Sequence, residues 1–468
     1  SLLLIILLIG VYIFKNHDDF PYYHLTYALN LSENKAIFGT GVFSHGFKTY
    51  SSLFYYHSIL YLPFIKYYLF HSAPFLILVF FNFIILDKIQ KKFKENKFDF
   101  IYFFSLLSFI FVNVAFYRLS EHGTDRSGQI LLFLIFIILF EIIFLEKELK
   151  RKNNLFNLMI LIIIFIASIK AYFYIYFIII PLVFFKDKFF SYYFNNKNLK
   201  IIIFLFIASL IHFTPNYLST GCFIFPIEKT CIGEQKWSLE KEEVKRLRTH
   251  YEWWAKAGGG PNYAAEKEPE DYIKGFGWVK NWIDRHFFNK VSDTLLGIIF
   301  IALLNYFIFR NAREKIKIER NTLSVNLILL FIFFEWFLNH PAMRYGGYIL
   351  FSLPVFIFIS KKLEQFDHKR KTIMISTVAL IVVTFFSYNL RNINRLNYEI
   401  KNYEYPFLKS PFFKVENVKT QVSYEDGNFR IYKPIDNMCW AAQTPCAYRS
   451  SFEVENWYKY KIVKKGNQ

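Results

Sequence analysis

The stretch His17-Asp18-Asp19-Phe20-Pro21-Tyr22-Tyr23-His24 places two adjacent carboxylates between imidazoles, directly after an apolar block. A carboxylate in such a place can accept a proton from an attacking hydroxyl or bind a cation, and His17 and His24 could assist with either. Helix capping answers the same residues. Asp19, two positions before Pro21, suits the start of a helix whose first turn carries that proline, and acidic groups favour a helix N-terminus. Capping accounts for one aspartate well and for two less well, so Asp18 and Asp19 stay open between cap and base.

Three further sites carry ionisable groups between apolar blocks. Glu121-His122-Gly123-Thr124-Asp125-Arg126 reads either as a solvated turn with an internal ion pair or as a ligand loop supplying His122, Asp125 and Arg126. Lys170 interrupts an apolar run from Leu155 to Phe185, where it can snorkel to the interface or hold a phosphate. His340-Pro341-Ala342-Met343-Arg344-Tyr345-Gly346-Gly347 is a very short connection. Arginine grips phosphate with a two-pronged fork, and the paired glycines let a ligand approach the backbone. Glu335 is the structural alternative as a partner for Arg344. Trp237, Trp253, Trp254, Trp278 and Trp282 suit interfacial helices or sugar-stacking platforms equally.

The elements that must position these groups are apolar helices. The 468 residues are 54% hydrophobic and 21% aromatic, in nearly charge-free blocks, which predicts an all-α polytopic membrane protein. The net charge of +19 sits in short clusters between the blocks, as in cytoplasmic membrane-flanking segments, and does not require nucleic acid. Taking the clusters at 88–97, 147–152, 186–200, 310–320 and 361–371 as cytoplasmic gives about eleven crossings. These fall near 2–14, 73–88, 99–117, 128–146, 155–169, 171–185, 200–215, 291–309, 322–338, 347–360 and 372–388.

The block Leu2 to Phe14 reads as a retained helix in which the numbering begins, because no small-residue cleavage site follows it. Ser51 to Phe70 is long enough to cross, but its tyrosines and the charge count favour an interfacial or re-entrant position. The N-terminus is then inside and the C-terminus outside, with a transmembrane unit at 1–390 and a small outer segment at 391–468. All four cysteines fall in outer loops, and Cys222 with Cys231 and Cys439 with Cys446 have the spacing of two local disulfides. No nucleotide-binding glycine loop, serine elbow or HExxH motif occurs.

An Asp-Asp pair after the first helix, an interfacial helix, and then many spans with an outer arginine site resembles the GT-C superfamily of membrane glycosyltransferases. Within it, the strings HGFKTYSSLFYYHS (45–58), GTDRSGQIL (123–131), SIKAYFYIY (168–176), GCFIFP (221–226), HPAMRYGGY (340–348) and NMCWAAQTPCAY (437–448) resemble a little-characterised bacterial family of multi-spanning proteins. The resemblance implies an inverting hexosyl or pentosyl transferase in the inner membrane. It would move a sugar from a polyprenyl-phosphate carrier to a glycan, lipid or protein acceptor outside the cytoplasm, in envelope glycan or glycoconjugate synthesis. It places the base at Asp19, supported by Asp18, and carrier-phosphate binding at Arg344 and His340, with Lys170 and Arg126 assisting. His17, His24, Asp125 and His122 are left for acceptor or cation, with room for magnesium or manganese between Asp18, Asp125 and phosphate. Many GT-C members carry a larger outer domain than the tail here, so acceptor choice does not transfer. The competing class is a transporter or flippase of a lipid-linked or anionic solute, which would want ionisable groups at mid-membrane depth and internal repeats.

Overall fold

The structure is a computed structural model. It describes residues 2–14, 17–120, 123–145, 148–186, 199–233, 235–259, 268–311, 320–404, 413–436, 438–448 and 451–466. Among the described residues, six helices are long and apolar enough to cross a bilayer: Tyr67–Lys94, Gly123–Phe144, Leu149–Ile169, Leu199–Thr220, Val279–Phe309 and Arg370–Tyr403. Four shorter apolar helices, Leu2–Val11, Phe100–Ala115, Ala171–Phe185 and Leu323–Asn339, and the helix Gly347–Glu364 complete the bundle. The chain is therefore a helical membrane protein.

Burial follows composition. The Phe100–Ala115 helix is apolar on every face and is covered on every face from Phe100 to Asn113, packing on Ser72–Lys94, Gly347–Glu364 and Arg370–Tyr403. Of its polar residues, Asn113 and Tyr102 find side-chain partners on neighbouring helices. Asn113 and Asn82 exchange side-chain amide bonds of 2.7 and 3.1 Å, and the Tyr102 hydroxyl meets Thr377 Oγ1 at 2.5 Å. At one end of the bundle, basic residues of the charge clusters find carboxylates: Lys88 with Glu141 at 2.6 Å, Lys92 with Asp99 at 2.5 Å, and Arg320 with both oxygens of Glu364.

The opposite end carries the strands. β1 (Ile37–Phe38) lies between the first two long apolar blocks, and β2 (Thr420–Asp426), β3 (Phe429–Pro434), β4 (Phe452–Trp457) and β5 (Tyr460–Lys465) form the tail. β2 and β3 make one antiparallel hairpin, β4 and β5 another, and β1 joins β5 in parallel. The tail thus docks on the 17–72 segment. Trp440 N–H donates to Pro21 O at 3.1 Å, and the Tyr448 hydroxyl to Tyr22 O at 3.1 Å. Both cysteine pairs form disulfides at this end, Cys222–Cys231 and Cys439–Cys446. The last helix passes through position 390 without a break and runs to Tyr403, and the first strand of the tail begins at Thr420. Ser51 to Phe70 does not form one long helix: Ser51 caps a short helix, Ser52–Ile59, and the chain then turns.

A buried clamp sets where the acidic pair leaves the bundle. Glu399 Oε2 accepts from Phe14 N–H and from Arg395 Nη1, both at 3.0 Å, and Arg395 Nη2 donates to Tyr12 O at 2.6 Å. Glu399→Ala would leave the Arg395 charge buried without its carboxylate, at a cost of about 3–5 kcal/mol. A large drop in the thermal midpoint of the detergent-purified protein is expected, and an unchanged midpoint would show that the clamp is not structural.

Candidate functional site

Four separate elements bring one ionic cluster together. Asp19 opens the turn Phe20–His24, Asp125 lies in the first turn of the Gly123–Phe140 helix, Lys170 ends Leu149–Ile169, and Arg344 sits in the short helix Met343–Tyr345. Arg344 Nε donates to Asp125 Oδ2 at 2.6 Å and Arg344 Nη2 to Asp19 Oδ2 at 3.2 Å. Lys170 Nζ holds the other Asp125 oxygen at 3.2 Å. The guanidinium also lies over the Trp254 ring at 5.4 Å and the Tyr345 ring at 5.7 Å. An arginine with this planar fork can serve two carboxylates and two aromatic faces at once.

The aspartate pair divides. Asp19 makes no capping hydrogen bond to the helix it precedes, so its carboxylate is given to Arg344 and the capping reading fails for it. Burial is the largest single influence and works against its ionisation, but the neighbouring Arg344, His24, His17 and Lys170 together overcome it and hold the carboxyl below the usual carboxylate range. Asp18 is exposed and turns the other way, into a cavity of about 780 Å³ between Phe14, the end of the last helix and the tail. His17 stays with Asp19: its Nδ1 accepts from Asp19 N–H at 3.2 Å.

The loop carrying Arg344 is held by its backbone. Met343 N–H donates to His286 Nε2 at 3.1 Å, and His286 Nδ1 lies 3.1 Å from Gly258 O, so one tautomer ties two loops together. Trp282 Nε1 donates to Pro341 O at 2.5 Å, Trp336 Nε1 to Ala342 O at 3.1 Å, and Gln129 Nε2 to Arg344 O at 3.2 Å. Gly346 takes φ +94°, and a Cβ there would stand 2.8 Å from Tyr172 Cε1, which explains the glycine physically. Trp278 is buried and Trp282 is engaged by the loop, so these two are not free platforms.

The other expected site residues lie around the cluster rather than in it. His340 Nδ1 stands 3.8 Å from Glu335 Oε1, so Glu335 serves His340 and Asn339 instead of Arg344. Arg126 lies over the Phe116 ring at 5.9 Å. His122 falls outside the described residues. A divalent cation does not fit: both Asp125 oxygens are taken by Arg344 and Lys170, and Asp18 faces another cavity. Among the described residues no group of three or more His, Cys, Asp or Glu could hold a metal ion.

His24 is packed between the Tyr23 and Phe54 rings, with Nε2 unpartnered, and burial pushes it down to about 3. His57, only 3% exposed, is likewise pushed well below its ordinary value by burial. Both are neutral in the folded protein at neutral pH, whereas the unfolded chain takes up protons near pH 6.5. Their contribution is therefore fully present above that pH and lost progressively as pH falls below it, at about 1.4 kcal/mol per pH unit for each histidine. A thermal midpoint that falls steeply between pH 6.5 and 5 is expected, with a shallower slope in His24→Phe.

The fold thus defines a helical membrane protein with a partly buried Asp–Arg–Asp–Lys cluster at the end where its disulfides lie. Residues 1–351 match the model of a domain of unknown function, DUF8201, and the chain belongs to that family. No curated protein and no solved structure matches it.

Proposed function

We propose that the protein is an inverting glycosyltransferase of GT-C type, moving a sugar from a polyprenyl-phosphate carrier to an acceptor on the extracytoplasmic side of the bacterial inner membrane. The observation that carries this reading is the convergence of Asp19, Asp125, Lys170 and Arg344 from four elements at one end of the bundle. Basic clusters at the opposite end and disulfides at this one support an orientation with the cluster outside. Ionisable groups massed at one end favour group transfer over the transport reading.

In this reading the carrier phosphate takes the place of carboxylate on Arg344 and Lys170. Once phosphate occupies the Arg344 fork, Asp19 loses the charge that depresses its basicity and can take the proton of an attacking hydroxyl. The hydroxyl oxygen bonds the anomeric carbon from the face opposite the carrier as the bond to the phosphate oxygen breaks. The leaving phosphate keeps the electron pair, its negative charge stabilised by the two cations.

The test is incubation of the nanodisc-reconstituted protein with a panel of polyprenyl-phosphate-linked hexoses and pentoses and an envelope-glycan extract. Free polyprenyl phosphate should accumulate together with a glycosylated product. Uptake of carrier into sealed vesicles without any covalent product would replace this reading with transport.

A further inference from the structure

After the short helix Ser52–Ile59 the chain turns back on itself over Tyr61–Lys66 before entering Ser72–Lys94. The turn is closed locally. Lys66 N–H donates to Leu62 O at 2.7 Å and Ile65 N–H to Pro63 O at 2.9 Å, while Pro63 brings no N–H of its own. Its root is fixed by the Tyr61 hydroxyl, which donates to Glu33 Oε1 at 2.9 Å. Its tip is apolar and uncovered: Phe64 is 102% exposed and Ile59 71%, with Leu62 and Ile65 also exposed.

Such a cluster is not a stable surface in water. The helix it leads into carries an exposed apolar stripe, Leu76, Phe80, Phe83 and Ile84, of the kind that faces acyl chains, and the tip lies at that helix's N-terminal end. Tyr67, Tyr68 and Lys66 sit between tip and stripe, the residue types that favour the headgroup level. The two backbone hydrogen bonds closed within the turn lower the cost of taking it out of water.

We infer that the Ile59–Ile65 tip is a lipid wedge, inserted at the headgroup–acyl boundary of the leaflet on the Asp19 side, with Lys66 meeting lipid phosphates. The wedge is joined to the ionic cluster by the same short helix. Ser52 Oγ lies 2.8 Å from Ser168 Oγ, two residues before Lys170, and the Tyr56 ring packs on Phe165 at 5.6 Å. The wedge thereby sets the height of Lys170 relative to the lipid surface, and this holds whatever reaction the cluster serves.

All four cysteines are in disulfides, so a cysteine placed at the tip can be labelled alone. Phe64→Cys carrying a nitroxide is reconstituted in phosphatidylglycerol–phosphatidylethanolamine liposomes, beside Tyr458→Cys, a 91% exposed position on the β4–β5 turn. The Phe64 label should collide with oxygen in strong preference to a water-soluble nickel chelate, at a depth of about 5–10 Å below the headgroup boundary. Ile59→Cys provides a second position and should report the same. Accessibilities equal to those of the Tyr458 label would overturn the inference. So would a label shielded from both reagents alike, which would mean a covering protein surface instead of lipid.

Discussion

Asp19→Asn should slow the proposed glycan transfer by about 10²–10⁴-fold, the usual contribution of a positioned general base, while Asp18→Asn slows it far less. The two neighbours differ because Asp19 meets Arg344 at 3.2 Å and Asp18 turns into the cavity beside the tail. Asparagine keeps an oxygen that can accept from Arg344 Nη2, so the substitution removes proton-accepting ability with little change of shape. Initial rates with the lipid-linked sugar identified by the panel, at saturating carrier, are the measurement. The thermal midpoint serves as the control for folding. Equal activity in wild type and Asp19→Asn would remove Asp19 as the base, and a loss confined to Asp18→Asn would move the chemistry into the neighbouring cavity.

What the sequence made legible follows from which forces act locally. The apolar blocks announce helices because a bilayer solute must satisfy its backbone within each segment, and every expected block is helical. Length and apolarity single out six as spanning; the others are short, and sequence periodicity alone does not set their number in the membrane. The cysteine pairs were legible because both are close in sequence. Asp125, Lys170 and Arg344 stood out as charges stranded between apolar blocks, a local signal of cost that must be repaid by partners.

The partners themselves were not legible. Glu335 is nine residues from Arg344 and was the natural local counter-ion, yet Arg344 pairs with residues 219 and 325 positions away. Helix capping competes for Asp19 on local grounds and loses only because Arg344 arrives from another helix pair. His286 and Gln129 carry no isolated signal either, and Trp254 stood out only as an aromatic platform and not as a partner of Arg344. They lie on amphipathic or apolar stretches where such residues ordinarily pack, and their role appears only when the 340–346 loop meets them. The tail's strands are short and partly exposed, and β1 is two residues long, so no alternation pattern marks its docking on the segment that carries the aspartates.

The cluster's energetics give the second large expectation. Arg344→Ala leaves the Asp125 carboxylate, buried at the start of its helix, with Lys170 alone. Asp125→Ala leaves Arg344 and Lys170 as neighbouring cations whose shared carboxylate is gone. Breaking a fully buried ion pair from one side costs about 3–5 kcal/mol, and because Arg344 keeps 29% of its side chain exposed each single change should cost less than that, about 2–3 kcal/mol. The double variant removes charge from both sides, so it should be more stable than the sum of the singles predicts, by about 1–3 kcal/mol of coupling. Thermal or denaturant unfolding of the four proteins in one detergent measures that coupling, and strict additivity would mean that the 2.6 Å contact carries no net interaction. Arg344→Lys should fold better than Arg344→Ala yet remain inactive. One ammonium cannot reproduce the fork that reaches Asp125 through Nε and Asp19 through Nη2, so the charge survives while the geometry that couples phosphate binding to release of Asp19 is lost.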